Sequence, residues 1–373
     1  MKTSACFVPL ITAVLIGAGP NKQMCGDTAD VTDTNPTCKG KMVPSAFEPA
    51  FLNISKYIWT GENTVPEANN PVGTRAFRKN ITSACGKCAT CATIVVAADD
   101  SSTVYVNGVA IGSGAGWTTG QVYFAPLNPS SNLFAIAGVN NVARAALMAT
   151  INIHYSDGTH ETFITDESWK TVRGAAPQGF QLPATSDSTW TFAMLQGFPQ
   201  NSFWGNPALP PVLPLAQSKW IWTSANAATT APAASNAFRK TIDDCTKVAV
   251  CATVLISADN HYKLYVNGQA VGSGDSFGRA EAYSIPKLHP TLNTFAIDAK
   301  NDEGPAGVIA TIHITYRDGT NQTIATDGSW KASQTVPNGF QETFFDDSDW
   351  VTATVVGNYG IAPWGSAVAI PPA

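Results

Sequence analysis

The sequence contains few charged residues and no cluster of basic side chains. Asp, Glu, Lys and Arg make up 13% of the 373 residues, whereas soluble proteins contain roughly 25%. Because the formal net charge is −5, a nucleic-acid phosphate backbone would find no electrostatic partner. The hydrophobic fraction of 44% excludes intrinsic disorder, and the 30 glycines and 24 prolines exclude a coiled coil or long-helix protein.

Long apolar runs are also absent, except at the N-terminus. Lys2 precedes an apolar segment at residues 7–17, and small residues follow at 17–19. This pattern predicts a signal peptide, cleaved near Pro20, and the segment is too short to span a bilayer stably. We therefore expect a secreted, extracellular protein that does not insert into a membrane.

Cysteine usage fits a secreted protein, because disulfides persist in oxidising compartments. Of the eight cysteines, Cys6 leaves with the signal peptide. Two cysteines of the first repeat have counterparts at the same spacing in the second repeat, described below, and this match indicates one disulfide within each repeat. The two cysteines near the N-terminus then form the third pair. The predicted disulfides are Cys85–Cys91, Cys245–Cys251 and Cys25–Cys38.

This assignment leaves Cys88 without a partner, and we expect it to be a buried free thiol. The alternative is a metal site formed by Cys85, Cys88 and Cys91. That alternative is weak, because the second copy of the repeat has no equivalent of Cys88 and no histidine lies nearby.

Three N-glycosylation sequons are present, and any of them can carry a glycan in a secreted protein. Their asparagines are Asn53, Asn80 and Asn321, and the first two are the stronger candidates.

The chain is a tandem repeat with an offset of 160 to 163 residues. Matching motifs include Tyr57-Ile-Trp-Thr and Trp220-Ile-Trp-Thr, Ala76-Phe-Arg-Lys and Ala237-Phe-Arg-Lys, Tyr105-Val-Asn-Gly and Tyr265-Val-Asn-Gly, Ser168-Trp-Lys and Ser329-Trp-Lys, and Trp204-Gly and Trp364-Gly. A period of this length indicates a duplicated globular domain, because solenoid units are about 20–50 residues long. The predicted parts are the signal peptide (1–20), an N-terminal segment (21–55), a first domain (56–206), a Pro-rich linker (207–217) and a second domain (218–373).

Within each unit the pattern is that of an all-β domain. Short β-rich segments bounded by turn residues lie at 254–258, 263–266 and 269–271. The Asn267-Gly268 dipeptide between the last two predicts a tight hairpin, and Asn107 holds the same place in the first unit. No long apolar stripe has helical periodicity, so about eight short strands per unit predict a β-sandwich or jelly roll.

Several motifs resemble those of a known family. Residues 256–268 resemble galactose-binding-like β-jelly-roll domains, in particular the calcium-dependent rhamnose-binding modules of bacterial α-L-rhamnosidases. Gly116-Trp-Thr is similar to the Gly-Trp-Thr loop of those modules, and the closing Asp349-Trp…Pro363-Trp-Gly is also similar. Two such domains in tandem, with a secretion signal and no catalytic domain, resemble secreted mushroom lectins. The resemblance covers nearly the whole mature chain and implies two galactose-binding-like β-jelly-roll sandwiches in tandem.

The resemblance also implies a function. The protein would be a non-enzymatic, calcium-dependent lectin, with one sugar site per domain for galactose-, GalNAc- or rhamnose-type sugars. In the related modules, consecutive Asp and Asn side chains hold a calcium ion that binds two sugar hydroxyls. The equivalent pairs are Asp259-Asn260 and Asp99-Asp100. The implied partners are glycans containing galactose or rhamnose, and assembly into a homo-oligomer is compatible with the sequence.

Calcium chemistry supports these pairs independently. The ion takes roughly 6–8 oxygen ligands, and each pair ends a predicted strand, so its side chains should project from a loop at the rim. Asn140 and Asn301 lie in the next loop of each domain and are further candidate ligands, with a simple turn role as an equal alternative. We expect about one calcium ion per domain.

Aromatic residues in the neighbouring loops are candidates for direct sugar contact. Trp117 is the best of them, because it lies in a Gly-rich loop without strand periodicity. Phe277 holds the matching position and can also stack on a sugar. Arg279 in the same loop can donate hydrogen bonds to hydroxyls, or can simply be solvated. Trp204 and Trp364 are expected in the core.

Other function classes are less well supported. A glycosidase would use two carboxylates, and the candidates are Asp327, Asp346, Asp347 and Asp349, but the first unit keeps only Asp187 in that region. A rhamnosidase barrel has no room in this chain, and no Ser-His-Asp order or phosphate loop is present. Accessory or remnant domains of a glycoside hydrolase and a structural wall protein are the remaining alternatives.

Overall fold

The computed structural model describes residues 42–365 and 368–373. Its named strands pair antiparallel, and one short 3-10 turn lies at Leu52–Ile54. The prediction of an all-β fold is therefore confirmed. The described residues include no helix of the length and apolar character that a bilayer crossing requires. The predicted signal peptide, Cys25 and Cys38 lie outside the described residues.

The first half of the chain contributes strands β1 to β11. These are β1 (Ser45–Ala46), β2 (Tyr57–Trp59), β3 (Gly73–Thr82), β4 (Ala89–Val106), β5 (Val109–Pro126), β6 (Ser131–Asn140), β7 (Ala146–Tyr155), β8 (His160–Ile164), β9 (Lys170–Thr171), β10 (Thr191–Phe192) and β11 (Met194–Gly197).

The second half contributes the remaining strands. These are β12 (Lys219–Trp222), β13 (Ala234–Asp243), β14 (Ala249–Asp259), β15 (His261–Val266), β16 (Gln269–Gly274), β17 (Glu281–Ile285), β18 (Leu292–Asn301), β19 (Gly307–Tyr316), β20 (Asn321–Ala325), β21 (Lys331–Ser333), β22 (Val351–Thr352) and β23 (Thr354–Asn358).

The two halves share one strand order. One layer runs β11-β2-β7-β4 in the first half and β23-β12-β19-β14 in the second half. The other layer runs β10-β9-β3-β6-β4 in the first half and β22-β21-β13-β18-β15 in the second half. Strand β4 is long enough to belong to both layers, so the first half forms a single ten-stranded sheet. In the second half the same path is divided between β14 and β15, and the layers are separate sheets. Both arrangements are antiparallel sandwiches.

A hydrophobic core fills the space between the layers of each half. In the first half, Ile136 on β6 and Ile151 on β7 belong to one buried cluster, although their strands lie in different layers. In the second half, Ile297 and Ile312 are related in the same way. Burial of such apolar surface supplies the main stabilisation of a sandwich.

The predicted Asn-Gly hairpins are present in both halves. Val106 pairs with Val109 across Asn107-Gly108, and Val266 pairs with Gln269. The asparagines have φ values of 51° and 50°, and the glycines that follow are also at positive φ. Such turns require positive φ at both central positions, which Asn and Gly tolerate best.

The linker is packed between the two halves. Val212, Leu213 and Leu215 are buried in a cluster with Phe124 of β5 and Leu255 of β14. This contact explains why a Pro-rich stretch carries three large apolar side chains.

A disulfide joins the two halves and corrects the predicted cysteine pairing. Cys91 of β4 bonds to Cys251 of β14, across 160 residues of sequence. The predicted pairs Cys85–Cys91 and Cys245–Cys251 are therefore wrong. Equal spacing in two copies follows from duplication alone, and the two equivalent strands meet where the halves face each other.

The other cysteines differ from prediction as well. Cys88 and Cys245 are both disulfide-bonded, so Cys88 is not a free thiol. Cys85 is instead free, and it is exposed. It lies in the turn before β4, away from the buried strand positions that carry Cys91.

Candidate functional site

The Asp-Asp and Asp-Asn pairs lie where the chain passes from one layer of each sandwich to the other. Both Asp99-Asp100 and Asp259-Asn260 are joined by cis peptide bonds. Asp259 ends β14, and Asp99 holds the equivalent place within β4. The structure therefore gives the two pairs matching backbone positions.

A tryptophan holds the first residue of each pair. The indole Nε1 of Trp204 donates to Asp99 Oδ2 at 2.8 Å, and that of Trp364 donates to Asp259 Oδ2 at 2.8 Å. Both indoles are buried. The two tryptophans, expected in the core, thus also fix the carboxylates and leave Oδ1 of each aspartate outside these bonds.

The second residue of each pair is held by a backbone amide of the next loop. The amide of Asn141 donates to Asp100 Oδ2 at 2.6 Å, and the amide of Asp302 donates to Asn260 Oδ1 at 2.8 Å. The substitution of Asp100 for the asparagine of the other copy leaves this contact intact, because both side chains present an accepting oxygen.

Asn140 and Asn301 are buried behind these pairs and bind a neighbouring loop. Asn140 Nδ2 donates to the carbonyls of Asn70 at 2.8 Å and Pro71 at 3.2 Å. Asn301 Nδ2 makes the same contacts with Ala231 at 2.9 Å and Pro232 at 3.3 Å. Asn301 Oδ1 is buried and has no hydrogen-bond partner among the described atoms, as befits an oxygen that can accept a further donor or ion.

Burial shifts the titration of the first aspartate of each pair. Burial raises the pKa of Asp259 above its ordinary value of 3.8, although the hydrogen bond from Trp364 opposes this shift. Burial also raises the pKa of Asp99, and the neighbouring Asp100 adds to the effect. Neither Asp99 nor Asp259 forms an ion pair in the described part of the chain. A cation beside either carboxylate would favour its charged form.

The donor set at each pair consists of carboxylate, amide and carbonyl oxygens. The described residues contain no group of three or more His, Cys, Asp or Glu side chains that could hold a metal ion. Any metal at these pairs would therefore depend on asparagine and backbone oxygens for its remaining ligands. That composition fits calcium, which prefers hard oxygen donors, and does not fit zinc.

Trp117 lies within strand β5 and not in a loop, contrary to the prediction, because β5 continues through the Gly-rich segment. Its counterpart Phe277 lies in the loop between β16 and β17. The linker and the C-terminal segment bind the backbone close to these two residues. The carbonyl of Ala208 accepts from Gly120 N at 2.8 Å, and the carbonyl of Ala369 accepts from Ala280 N at 2.9 Å. Trp117 is half-buried against the cluster that contains Trp204, and Phe277 is 43% exposed.

Charged side chains lie in the loops of the second half, at Arg279 and around Asp302. Arg279 pairs with Glu281 at 3.2 Å and remains largely exposed. Beside Asn260, Asp302 contacts His261 Nε2 at 2.7 Å and Lys300 Nζ at 2.6 Å. The first half has Asn141 in place of Asp302, so the loops beside the two pairs differ in charge.

Sequence reasoning missed two further residues beside the first pair. Phe203 is 51% exposed and lies 5.8 Å from Trp117, measured between ring centroids. The guanidinium of Arg144 lies 4.4 Å from the Phe203 ring centroid. The signal in the sequence was a phenylalanine directly before Trp204, but its position in the chain gave no reason to expect it near Trp117.

The carboxylates considered for a glycosidase have structural roles. Asp187 and Asp347 accept from the buried guanidinium groups of Arg78 at 3.0 Å and Arg239 at 2.8 Å. Asp327 accepts from the backbone amide of Ser329 at 2.8 Å, which is a turn contact. These carboxylates do not form an acid–base pair.

The sequon asparagines Asn53, Asn80 and Asn321 are all exposed. Their side chains are accessible to a glycan, and their occupancy stays a prediction.

The chain is similar to an enzyme over part of its length and to a lectin over most of it. No family model matches it. An α-L-rhamnosidase of Streptomyces avermitilis is 37% identical over 161 residues, which are 40% of this chain and 15% of the enzyme. The crystal structure of the lectin from Pleurotus ostreatus in complex with GalNAc is 61% identical, with a TM-score of 0.85, and the match covers 89% of this chain and 99% of that lectin. The apo form of the same lectin matches at 61% identity and a TM-score of 0.85, over 90% of this chain.

These matches confirm the resemblance inferred from the motifs. The two structures that match at 61% identity, over 89% and 90% of the chain, are both of a lectin, so the prediction of a protein that is not an enzyme is confirmed. The sequence match to the rhamnosidase is limited to 161 residues, which make up 15% of the length of that enzyme. On this evidence the chain belongs to the same family as the Pleurotus ostreatus lectin.

Proposed function

We propose that the protein is a secreted, calcium-dependent lectin with one sugar site in each half. The observation that carries this proposal is the duplicated pair, in which Asp99 and Asp259 each accept a tryptophan N–H at 2.8 Å and form no ion pair among the described residues. The GalNAc complex of the Pleurotus ostreatus lectin supports galactose- and GalNAc-type sugars as ligands. Rhamnose-type sugars are included because of the match to the rhamnosidase segment.

In the proposed site, some residues would bind the calcium ion and others hold those residues in position. Asp259 and Asn260 would hold the calcium ion through oxygens, and Trp364 and the amide of Asp302 keep those oxygens in position. When bound, calcium supplies ligand positions that vicinal sugar hydroxyls can fill. Phe277, 43% exposed, would contact the apolar face of the same sugar, and the equivalent residues of the first half would have the same roles.

Metal analysis tests the proposal. Protein dialysed against calcium should contain close to two calcium ions per chain, and Asp99→Ala or Asp259→Ala should remove one of them. The matched control is Asp346→Ala, which replaces an exposed aspartate engaged only in a turn and should leave two. Full metal occupancy in the double variant Asp99→Ala with Asp259→Ala would contradict the assignment.

A glycan array with and without a chelator tests the sugar specificity. We expect binding to galactose-, GalNAc- or rhamnose-terminated glycans that the chelator abolishes. Binding that persists in chelator would exclude calcium dependence while leaving a lectin function intact.

Two sites in one chain would also make the protein divalent. Linked sites gain from effective concentration, so avidity can exceed single-site affinity by roughly 10²–10⁴. We expect weak binding to free sugar and strong agglutination of cells that display it densely. Asp259→Ala should abolish most agglutination in a monomer, and sedimentation of that variant would identify a homo-oligomer that agglutinates through several copies.

A further inference from the structure

The first site has an aromatic cluster that extends beyond its aspartate pair. Phe203 lies 5.8 Å from Trp117 and 5.8 Å from Trp204 between ring centroids, and Trp204 in turn holds Asp99. Although these rings surround it, Phe203 keeps 51% of its surface exposed. A large apolar side chain this exposed, one residue from the residue that fixes Asp99, offers a contact surface next to the site.

The position of Phe203 is fixed by a dedicated set of contacts. Its backbone N–H donates to Glu67 Oε1 at 2.9 Å, and Arg144 Nε donates to the Glu67 carbonyl at 2.7 Å. Glu67 has a φ of 60° and its own N–H donates to Gln196. The guanidinium of Arg144 then covers the Phe203 ring at 4.4 Å, which is a cation–π distance. A ring fixed in this way loses little freedom when a ligand binds.

The second half lacks this cluster. With the offsets of the repeat, Pro363 takes the place of Phe203 and Pro305 takes the place of Arg144. Phe277 replaces Trp117, and no ring–ring or cation–π contact of Phe277 occurs among the described residues. The two sites therefore share their aspartate pair and differ in what stands beside it.

We propose that Phe203, held by Arg144 and Glu67, is a specificity-determining residue that gives the first site a subsite for a second sugar ring. This inference rests on the proposed lectin function. One face of a pyranose is lined by C–H groups, and an exposed aromatic ring is the surface that such a face contacts best. The first site therefore binds a glycan of two or more sugars more tightly than a monosaccharide, and the second site makes much less distinction.

The test uses variants with a single working site. Asp259→Ala leaves the first site and Asp99→Ala leaves the second, and each is titrated calorimetrically with a methyl galactoside and a galactose-terminated disaccharide in calcium. In the Asp259→Ala background, Phe203→Ala should weaken disaccharide binding about three- to tenfold and change methyl galactoside binding by less than about twofold. In the Asp99→Ala background, Phe203→Ala should change neither.

Two controls separate the ring from its volume and from general effects. Phe203→Leu keeps apolar volume without a π-face and should behave like Phe203→Ala, whereas Phe203→Tyr should restore disaccharide binding. Phe344→Ala removes a phenylalanine of the second half that is 78% exposed and should have no effect.

The outcomes distinguish the subsite from the lectin function. If disaccharide binding is unchanged by Phe203→Ala while the double variant Asp99→Ala with Asp259→Ala binds nothing, the subsite is wrong and the lectin sites stand. If the double variant still binds both sugars, the aspartate pairs are not the sugar sites, and both proposals fail. Equal preference for the disaccharide at the two single sites also overturns the subsite.

Discussion

The buried Arg239 binds several backbone carbonyls and one carboxylate of the second half. Arg239 donates to Asp347 Oδ2 at 2.8 Å, to the Glu342 carbonyl at 3.0 Å and to the Phe340 carbonyl. We expect Arg239→Met to lower the free energy of unfolding by about 3 kcal/mol, because it leaves buried carbonyls and a carboxylate without their donor. Arg239→Lys should recover only part of this, since a lysine cannot reproduce the guanidinium fork.

Urea denaturation of the two variants measures this effect. The control is Arg279→Met, in which the arginine is exposed, and its unfolding free energy should stay within about 0.5 kcal/mol of the wild-type value. Equal denaturation midpoints for Arg239→Met and Arg279→Met would contradict the structural role of the buried arginine.

A buried histidine should make the protein sensitive to acid. Burial lowers the pKa of His154 from 6.5 to about 4, and the nearby His160 adds to this shift. Because the folded-state pKa lies below the unfolded value, the stability that His154 contributes is present above pH 6.5 and is lost as the pH falls through about 4. His154→Gln retains a polar partner for Thr93, 3.1 Å away, and should flatten the loss of melting temperature between these pH values.

The exposed His289 supplies the matched control for this experiment. His289→Gln should leave the pH profile of the melting temperature unchanged. A profile that is the same for His154→Gln and wild type would assign the acid sensitivity to other groups.

At the scale of strands, the start of β19 is tightly constrained. A Cβ added at Gly307 would lie 2.9 Å from atoms of both Trp220 and Trp364, whose rings stack with centroids 4.4 Å apart. We expect Gly307→Ala to destabilise the protein by about 1–3 kcal/mol, because overpacking displaces buried rings. Displacement of Trp364 should also weaken calcium binding in the second half, through its bond to Asp259.

Calorimetry and calcium titration test this prediction together. In Gly278→Ala the added Cβ would meet only Ser276 Oγ at 3.6 Å, so this control should melt like the wild type. If Gly307→Ala melts normally, the packing around Trp220 and Trp364 is looser than the distances indicate.

The strands also show which parts of the structure the sequence could predict. The Asn107 and Asn267 hairpins were predictable, because a turn depends on its own two residues. The partners of Cys91 and Cys251 were not, since duplication repeats a spacing whether or not the cysteines in one copy pair with each other. The cluster of Phe203 with Arg144 was equally hidden, because its members come from segments about 60 residues apart that only the sandwich brings together.

For the molecule as a whole, the disulfide between the halves should be a major source of stability. The Cys91–Cys251 bond closes a loop of 160 residues, for which the loop-entropy model gives about 5 kcal/mol as an upper value. We expect the double variant Cys91→Ala with Cys251→Ala to lose about 3–5 kcal/mol in denaturant unfolding. Cys85→Ala removes a free, exposed thiol and should change nothing, and equal stability of the two variants would contradict the assigned pairing.

The pairing of β1 with β17 has a consequence for anyone who wishes to use one repeat alone. Ser45 pairs with Ser284, and Phe47 N donates to the Ala282 carbonyl at 2.9 Å, so a segment that precedes the first repeat completes a sheet of the second. A recombinant fragment that starts at residue 218 would expose the backbone groups of β17 along that edge, and open edges promote strand pairing between molecules. Such a fragment should precipitate or self-associate, and fusing residues 42–50 to it should reduce the part of that association that runs through the β17 edge.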